Sequence, residues 1–185
     1  GNLYLNGNGV KRDYLEAKRF YKIATKFNNS KAFANLGKLY YYGLGVERSY
    51  SKALKYFESS VNPKYFQPEN SLDFEISFTK LIESRKIDFI NTNSYNYLGI
   101  IYLYGLDVVK DLPRSKYYFE LAAKSGNLWA LHNIAIYFCF NENGEKNIKK
   151  MFQYLETPIN KRYSESLVQL GIMFLYGQNV EKNYT

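Results

Sequence analysis

Few residues in this chain are of the kinds that make and break bonds. It has one histidine, His132, and one cysteine, Cys139. They stand seven residues apart, which on a helix sets them on one face, so a Cys–His nucleophile pair is the first chemistry to weigh. No third group is placed to orient the histidine and no oxyanion donor is evident, so a pair packed in the core is the simpler reading. A single cysteine excludes a disulfide within the chain, and one of each excludes a zinc site of ordinary ligand spacing. Gly7-Asn8-Gly9 and Gly43-Leu44-Gly45 resemble phosphate-cradling turns. A phosphate loop follows a strand and needs a further glycine set; these flanks read as helices, which makes both stretches inter-helix turns. The carboxylates are scattered among basic residues, with no pair arranged for acid–base work. The residues point away from an enzyme, a metal, a cofactor or a small-molecule substrate, and toward a surface that binds.

Contact chemistry is richer. Aromatic residues make up 18% of the chain. Tyr42, Tyr104, Phe140 and Tyr176 each come immediately before a position that is usually glycine, and the column before them holds Tyr41, Leu103, Cys139 and Leu175. Tyrosine supplies a large contact area at low entropic cost. The net charge is +8 and the pI about 9.3, which permits nucleic acid, anionic lipid or acidic proteins as partners. Lys18, Arg19, Lys22 and Lys26 crowd one predicted helix beside aromatics, an invitation to a nucleic-acid reading. Lysine and arginine are otherwise scattered rather than clustered, so a solvated helix face is the simpler account and nucleic acid is not the expected partner. No run approaches the roughly 18 apolar residues that a membrane span needs.

The elements that carry these residues follow from a fixed interval. Gly1 and Gly37 are 36 residues apart, and Gly99 and Gly171 are 72 apart. Tyr4, Tyr40, Tyr102, Phe138 and Phe174 sit three places after this phase, and Gly7, Gly43, Gly105, Asn141 and Gly177 six places after it. A period of this size is the mark of a stacked-repeat solenoid. Each period reads as two helices. Ala32, Leu36, Leu39 and Tyr40 form the apolar face of a first helix, which Gly43 ends. Gly45 and Val46 occupy the turn, with Val46 filling the space between helices. Ala53, Tyr56, Phe57 and Ser60 face inward from the second helix. Asp13 with Glu16 matches a capping box, and Ser49, Asp111, Asn147 and Asn183 hold the same N-cap place. Pro113 lies in a first turn, where a missing N–H costs little. Small residues recur where helices must approach: Ala32, Ser94, Ala130 and Ser166 in the first helix, Ala17 and Ala53 in the second. Glycine in mid-helix at Gly37 costs about 1 kcal/mol against alanine, so its recurrence at Gly99 and Gly171 implies close packing.

Two places break the pattern. Gly37 and Gly99 are 62 residues apart, which marks an insertion over 62–93. Pro63 and Pro68 open it as loop, and Leu72, Ile76 and the run from Phe78 to Ile82 predict a short amphipathic helix, either packed on the array or mobile. The expected organisation is therefore a partial first repeat and a second over 1–61, the insertion over 62–93, and three further repeats over 94–185, the last incomplete. In the fourth period Ala135 and Asn141 replace glycine, and Pro158 predicts an early helix end. The chain starts and stops inside repeats and reads as a fragment of a longer array.

These residues resemble the Sel-one-like repeat, a relative of the tetratricopeptide repeat. The clearest copy is Leu36-Gly37, Tyr40, Gly43, Gly45-Val46, Lys52-Ala53 and Tyr56-Phe57. A second runs through Leu98-Gly99, Tyr102, Gly105, Val108, Asp111, Tyr118-Phe119, Ala122-Ala123, Gly126 and Ala130. Asp107, in place of the second turn glycine, departs from the motif. The resemblance implies an all-α, right-handed superhelical solenoid of antiparallel helix pairs that binds other proteins. It implies that the first helix of each pair lines the concave face, so Tyr41, Tyr42, Tyr104, Phe140 and Tyr176 become a candidate stripe for a partner segment. The alternative is that these rings pack between repeats. Relatives include luminal adaptors of membrane ubiquitin ligases in endoplasmic-reticulum-associated degradation, activators of fungal chitin synthase, and secreted bacterial factors. Gly9-Val10-Lys11-Arg12-Asp13-Tyr14 and Gly45-Val46-Glu47-Arg48-Ser49 look similar to the degradation adaptors, which would make the chain part of a membrane-associated complex. Asn28-Asn29-Ser30 and Asn183-Tyr184-Thr185 fit the N-glycosylation sequon. Together these favour the lumen of the endoplasmic reticulum over a secreted, periplasmic or cytoplasmic place. A secreted repeat protein binding host or envelope proteins, and an RNA-binding solenoid, are the alternatives.

Overall fold

The computed structural model describes residues 1–61, 91–139 and 148–176, the side chains at 139, 148 and 173–176 excepted. Among them the chain forms α1 (Asn2–Asn6), α2 (Tyr14–Thr25), α3 (Ser30–Tyr42), α4 (Tyr50–Val61), α5 (Thr92–Tyr104), α6 (Leu112–Lys124), α7 (Leu128–Cys139), α8 (Ile148–Asn160) and α9 (Ser164–Tyr176). Consecutive helices pack on one another in series, and α5 also packs on α7. The result is an all-α repeat solenoid of paired antiparallel helices, as the 36-residue interval predicts. α5 opens at Thr92 with Asn91 as its N-cap; the rest of the expected insertion, with its predicted short helix, lies outside the described residues.

One backbone device repeats at each turn. Gly7, Gly43 and Gly105 take φ of 74°, 71° and 64°, a left-handed geometry that glycine reaches at little cost. Their N–H groups donate to the carbonyls of Leu3, Leu39 and Ile101, and the next residue's N–H donates to the same carbonyl. The chain then returns so that the N–H of Asp13, Ser49 and Asp111 donates to the carbonyl of Tyr4, Tyr40 and Tyr102, at 3.0 Å in each case. Helix-end carbonyls that would otherwise lack partners are thus satisfied identically three times. Asp13 caps α2 through its carboxylate, which accepts from the N–H of Leu15 and Glu16. The expected reciprocal bond from Glu16 does not form, because Tyr4 already takes the Asp13 N–H and Glu16 lies against Arg19 at 3.3 Å instead.

The recurring glycine in mid-helix has its reason in a ring. A Cβ on Gly37 would lie 2.6 Å from Phe57, and one on Gly99 would lie 2.5 Å from Phe119. Gly1 meets Tyr21 in the same way. In the fourth pair the glycine is Ala135 and the ring is Leu155, both buried together. A larger residue on one helix is matched by a smaller one on the other, so this pair is compensated rather than decayed. No described residue approaches Gly171, and Gly177 lies outside the described residues. Ala53, Ala122 and Ala130 are fully buried, as their phase requires. A second ring motif recurs too. Tyr4–Phe20, Tyr40–Tyr56, Tyr102–Tyr118 and Phe138–Tyr154 stack with centroids 5.5–5.8 Å apart and planes within 12°. Pro158 does not end its helix early: α8 runs on to Asn160. It stands buried in the last turn, where it gives up the bond to the carbonyl four residues back, and its own carbonyl still accepts from Tyr163 at 2.8 Å.

Candidate protein-binding face

The first helices carry the residues singled out for binding. On α3 the pattern of burial leaves Lys31, Asn35, Lys38 and Tyr42 outside the core, while Ala32, Leu36, Leu39 and Tyr40 lie within it. Tyr42 ends this stripe and is 53% exposed; Tyr104, in the same place on α5, is 63% exposed. Tyr41 is half-buried and belongs to a ring cluster. It meets Tyr42 and Tyr97 edge-on at 5.0 Å and Tyr50 at 5.3 Å. Tyr97 stacks on Phe57 at 4.6 Å and meets Trp129 at 4.9 Å. Burial, and then the neighbouring Tyr42, Tyr50 and Tyr104, push the Tyr41 hydroxyl up to about 12; burial, with the hydrogen bond to Tyr42, pushes Tyr97 higher still. Tyr41 therefore packs between repeats, while Tyr42 and Tyr104 are more than half exposed. Phe140 lies outside the described residues, as does the side chain of Tyr176.

A polar ladder links the first helices. Asn35 donates to Asn2 on α1 at 3.1 Å, the Tyr97 and Tyr42 hydroxyls pair across α5 and α3 at 2.9 Å, and Asn133 donates to Asn96 across α7 and α5 at 3.0 Å. Asn35, Tyr97 and Asn133 share one phase of the repeat, so each rung reaches back to the preceding first helix. Nothing in local sequence marks these contacts. The available signal is the spacing of Lys31, Asn35, Lys38 and Tyr42, which keeps one face of α3.

Of the two groups that could do bond chemistry, the side chain of Cys139 lies outside the described residues and His132 is occupied. His132 Nδ1 lies 3.0 Å from Ser166 Oγ and its ring meets Tyr163. Burial lowers its pKa, against a smaller opposing effect of Glu165. Ser166 is fully buried, so this pair ties α7 to α9 and presents no nucleophile to solvent. Among the described residues no group of three His, Cys, Asp or Glu is placed to hold a metal ion, and no helix is long and apolar enough to cross a membrane. The basic cluster on α2 is divided: Lys18 lies over the Tyr40 ring, and Arg19 pairs with Glu16 and lies over Phe20.

Helix pairs stacked in series, with glycine, ring and turn positions in phase, define an α/α repeat array. The chain belongs to the Sel1 repeat family, whose model matches residues 1–26, 30–62, 92–127 and 164–185. The compensated pair with Ala135 and Leu155 falls between the last two matched segments. No curated protein matches the chain. Among solved structures it is similar to a Sel1 repeat protein from Oxalobacter formigenes, at 22% identity over 96% of this chain and 76% of that one, with a TM-score of 0.42. It is also similar to c5321, a protective antigen present in uropathogenic Escherichia coli strains, at 21% identity and a TM-score of 0.44. It covers 41% of that chain.

Proposed function

We propose that this chain is a non-catalytic protein–protein interaction scaffold whose first-helix face receives a segment of a partner protein. The observation that carries the reading is the pair of tyrosines, Tyr42 and Tyr104, more than half exposed at the same place on successive first helices. Exposed aromatic side chains on a rigid base are the residues that most often dominate binding energy. The narrower reading is an adaptor that brings clients to a ubiquitin ligase complex of endoplasmic-reticulum-associated degradation. The two turn stretches from Gly9 and from Gly45 support it. So does Asn28, which is exposed in the turn before α3, where a luminal glycosyltransferase would reach its sequon.

Affinity purification of the full-length protein with mass spectrometry tests both levels. Recovery of membrane ligase subunits supports the adaptor; recovery of other proteins alone rejects it and keeps the scaffold. Against a Tyr97→Phe control, which breaks the same hydroxyl pair and should keep the captured partners, Tyr42→Ala with Tyr104→Ala should release them. Partners retained by that variant would show that the face is not the binding surface.

A further inference from the structure

The first helices of the first four pairs lack acidic residues; that of the fifth, α9, carries Glu165. α1, α3, α5 and α7 contain no Asp or Glu. Lys31 and Lys38 stand on the stripe of α3 that also carries Asn35 and Tyr42, Lys31 exposed and Lys38 partly so. Among the described residues neither ammonium has an ion-pair partner. Some lysines of the second helices are placed differently: Lys52 and Lys150 lie over rings, and Lys116 pairs with Glu120. The α3 stripe, with no carboxylate of its own and with two ammoniums that have no ion-pair partner among the described residues in line with an exposed tyrosine, is complementary to negative charge.

Resting on the scaffold reading above, we propose that the α3 stripe docks an acidic, extended segment of a partner protein. Spacing refines the match. Lys31 and Lys38 are seven residues apart, roughly 10 Å along a helix at 1.5 Å per residue. A partner segment in the extended polyproline II form advances about 3.1 Å per residue with three residues per turn, so two acids three positions apart share a face and meet both lysines. Tyr42 lies roughly 6 Å further on, within reach of an apolar side chain among the residues that follow the second acid. The Asn35 amide, already donating to Asn2, presents its oxygen and its remaining N–H between the lysines for the backbone of the segment.

Fluorescence anisotropy of the full chain tests this with labelled peptides containing Glu-Ser-Ser-Glu-Ser-Leu, or the reverse order, against controls with both Glu changed to Gln. The acidic peptide should bind at least tenfold more tightly than its control, and affinity should fall steeply with added salt. Lys31→Glu with Lys38→Glu should abolish that preference at unchanged melting temperature. Lys22→Glu with Lys26→Glu, an equal charge change at the C-terminal end of α2, should leave it intact. Equal affinity for the Gln control, equal loss from both variants, or tighter binding of single-stranded oligouridine to the same stripe would each overturn the proposal. Captured partners that survive the Lys31 and Lys38 changes but not Tyr42→Ala would reject the acidic class while keeping the scaffold.

Discussion

Gly37 and Phe57 meet where a methyl group does not fit. An added Cβ would sit 2.6 Å from a ring in the core, and overpacking of that kind costs about 1–3 kcal/mol. Gain of helix propensity, about 1 kcal/mol, offsets part of this. Gly37→Ala is therefore expected to lower stability in a urea melt. Phe57→Leu added to it should be less damaging than the two changes summed, since Ala135 and Leu155 already coexist in the fourth pair; strict additivity would refute the coupling. A second residue-scale prediction concerns Glu58, a buried carboxyl on α4. Burial pushes it up to about 7, against the opposing effects of Arg114, the Tyr102 hydroxyl and Lys55. The folded chain then keeps a proton that the unfolded chain releases near pH 4.5, so stability falls as pH rises from about 4.5 to 7. Glu58→Gln should flatten that slope, as melting temperature against pH would show. The glycine's need for space was legible from its recurrence. The ring that imposes it was not, because the pairing is twenty residues away across a turn. Glu58 was not legible at all, since its burial depends on a neighbour beyond the 62–93 stretch.

Helices in this array begin and end with help from their neighbours. Asp107 stands in the second turn place at φ 56°, and its carboxylate accepts from the N–H groups of Tyr50 and Ser51 at 2.9 and 3.1 Å. It thereby caps α4, the second helix of the preceding pair, alongside Ser49. One repeat earlier the same place is Gly45, whose added Cβ would press on Tyr14 at the start of α2. The glycine permits a close approach, and the aspartate converts it into hydrogen bonds. Asp107→Ala is expected to cost about 1–2 kcal/mol through the lost cap, measurable by denaturant melts. Asp107→Gly should cost less, because it relieves the positive φ. In sequence, Asp107 reads only as a departure from the motif; its partners lie on the far side of 62–93. Pro158 shows the converse. A local rule ends the helix there, and packing of a buried residue in the last turn overrides it.

At the scale of the molecule, stability is a chain of neighbour contacts rather than one shared core. α1 has no buried residue, whereas eight residues of α5 are buried. Hydrogen exchange should therefore be fastest in α1 and slowest in α5 among the described helices; uniform protection would contradict this. The architecture was legible because every repeat states it again, through caps, stops and apolar phase. The proposed binding face was legible only in part. Tyr42 and Tyr104 stand out against the repeat, but Lys31 and Lys38 draw notice only once α3 is seen to carry no acid beside them. The compensated pair has a consequence for how such a chain can change over generations. A glycine helix fits only a ring-bearing companion, and an alanine helix only a leucine-bearing one. Duplication or recombination that splits a hairpin would join mismatched halves, one hybrid clashing and the other hollow. Crossovers that fall between hairpins keep each matched set together, so the hairpin is the unit in which this array can be lengthened, shortened or shuffled.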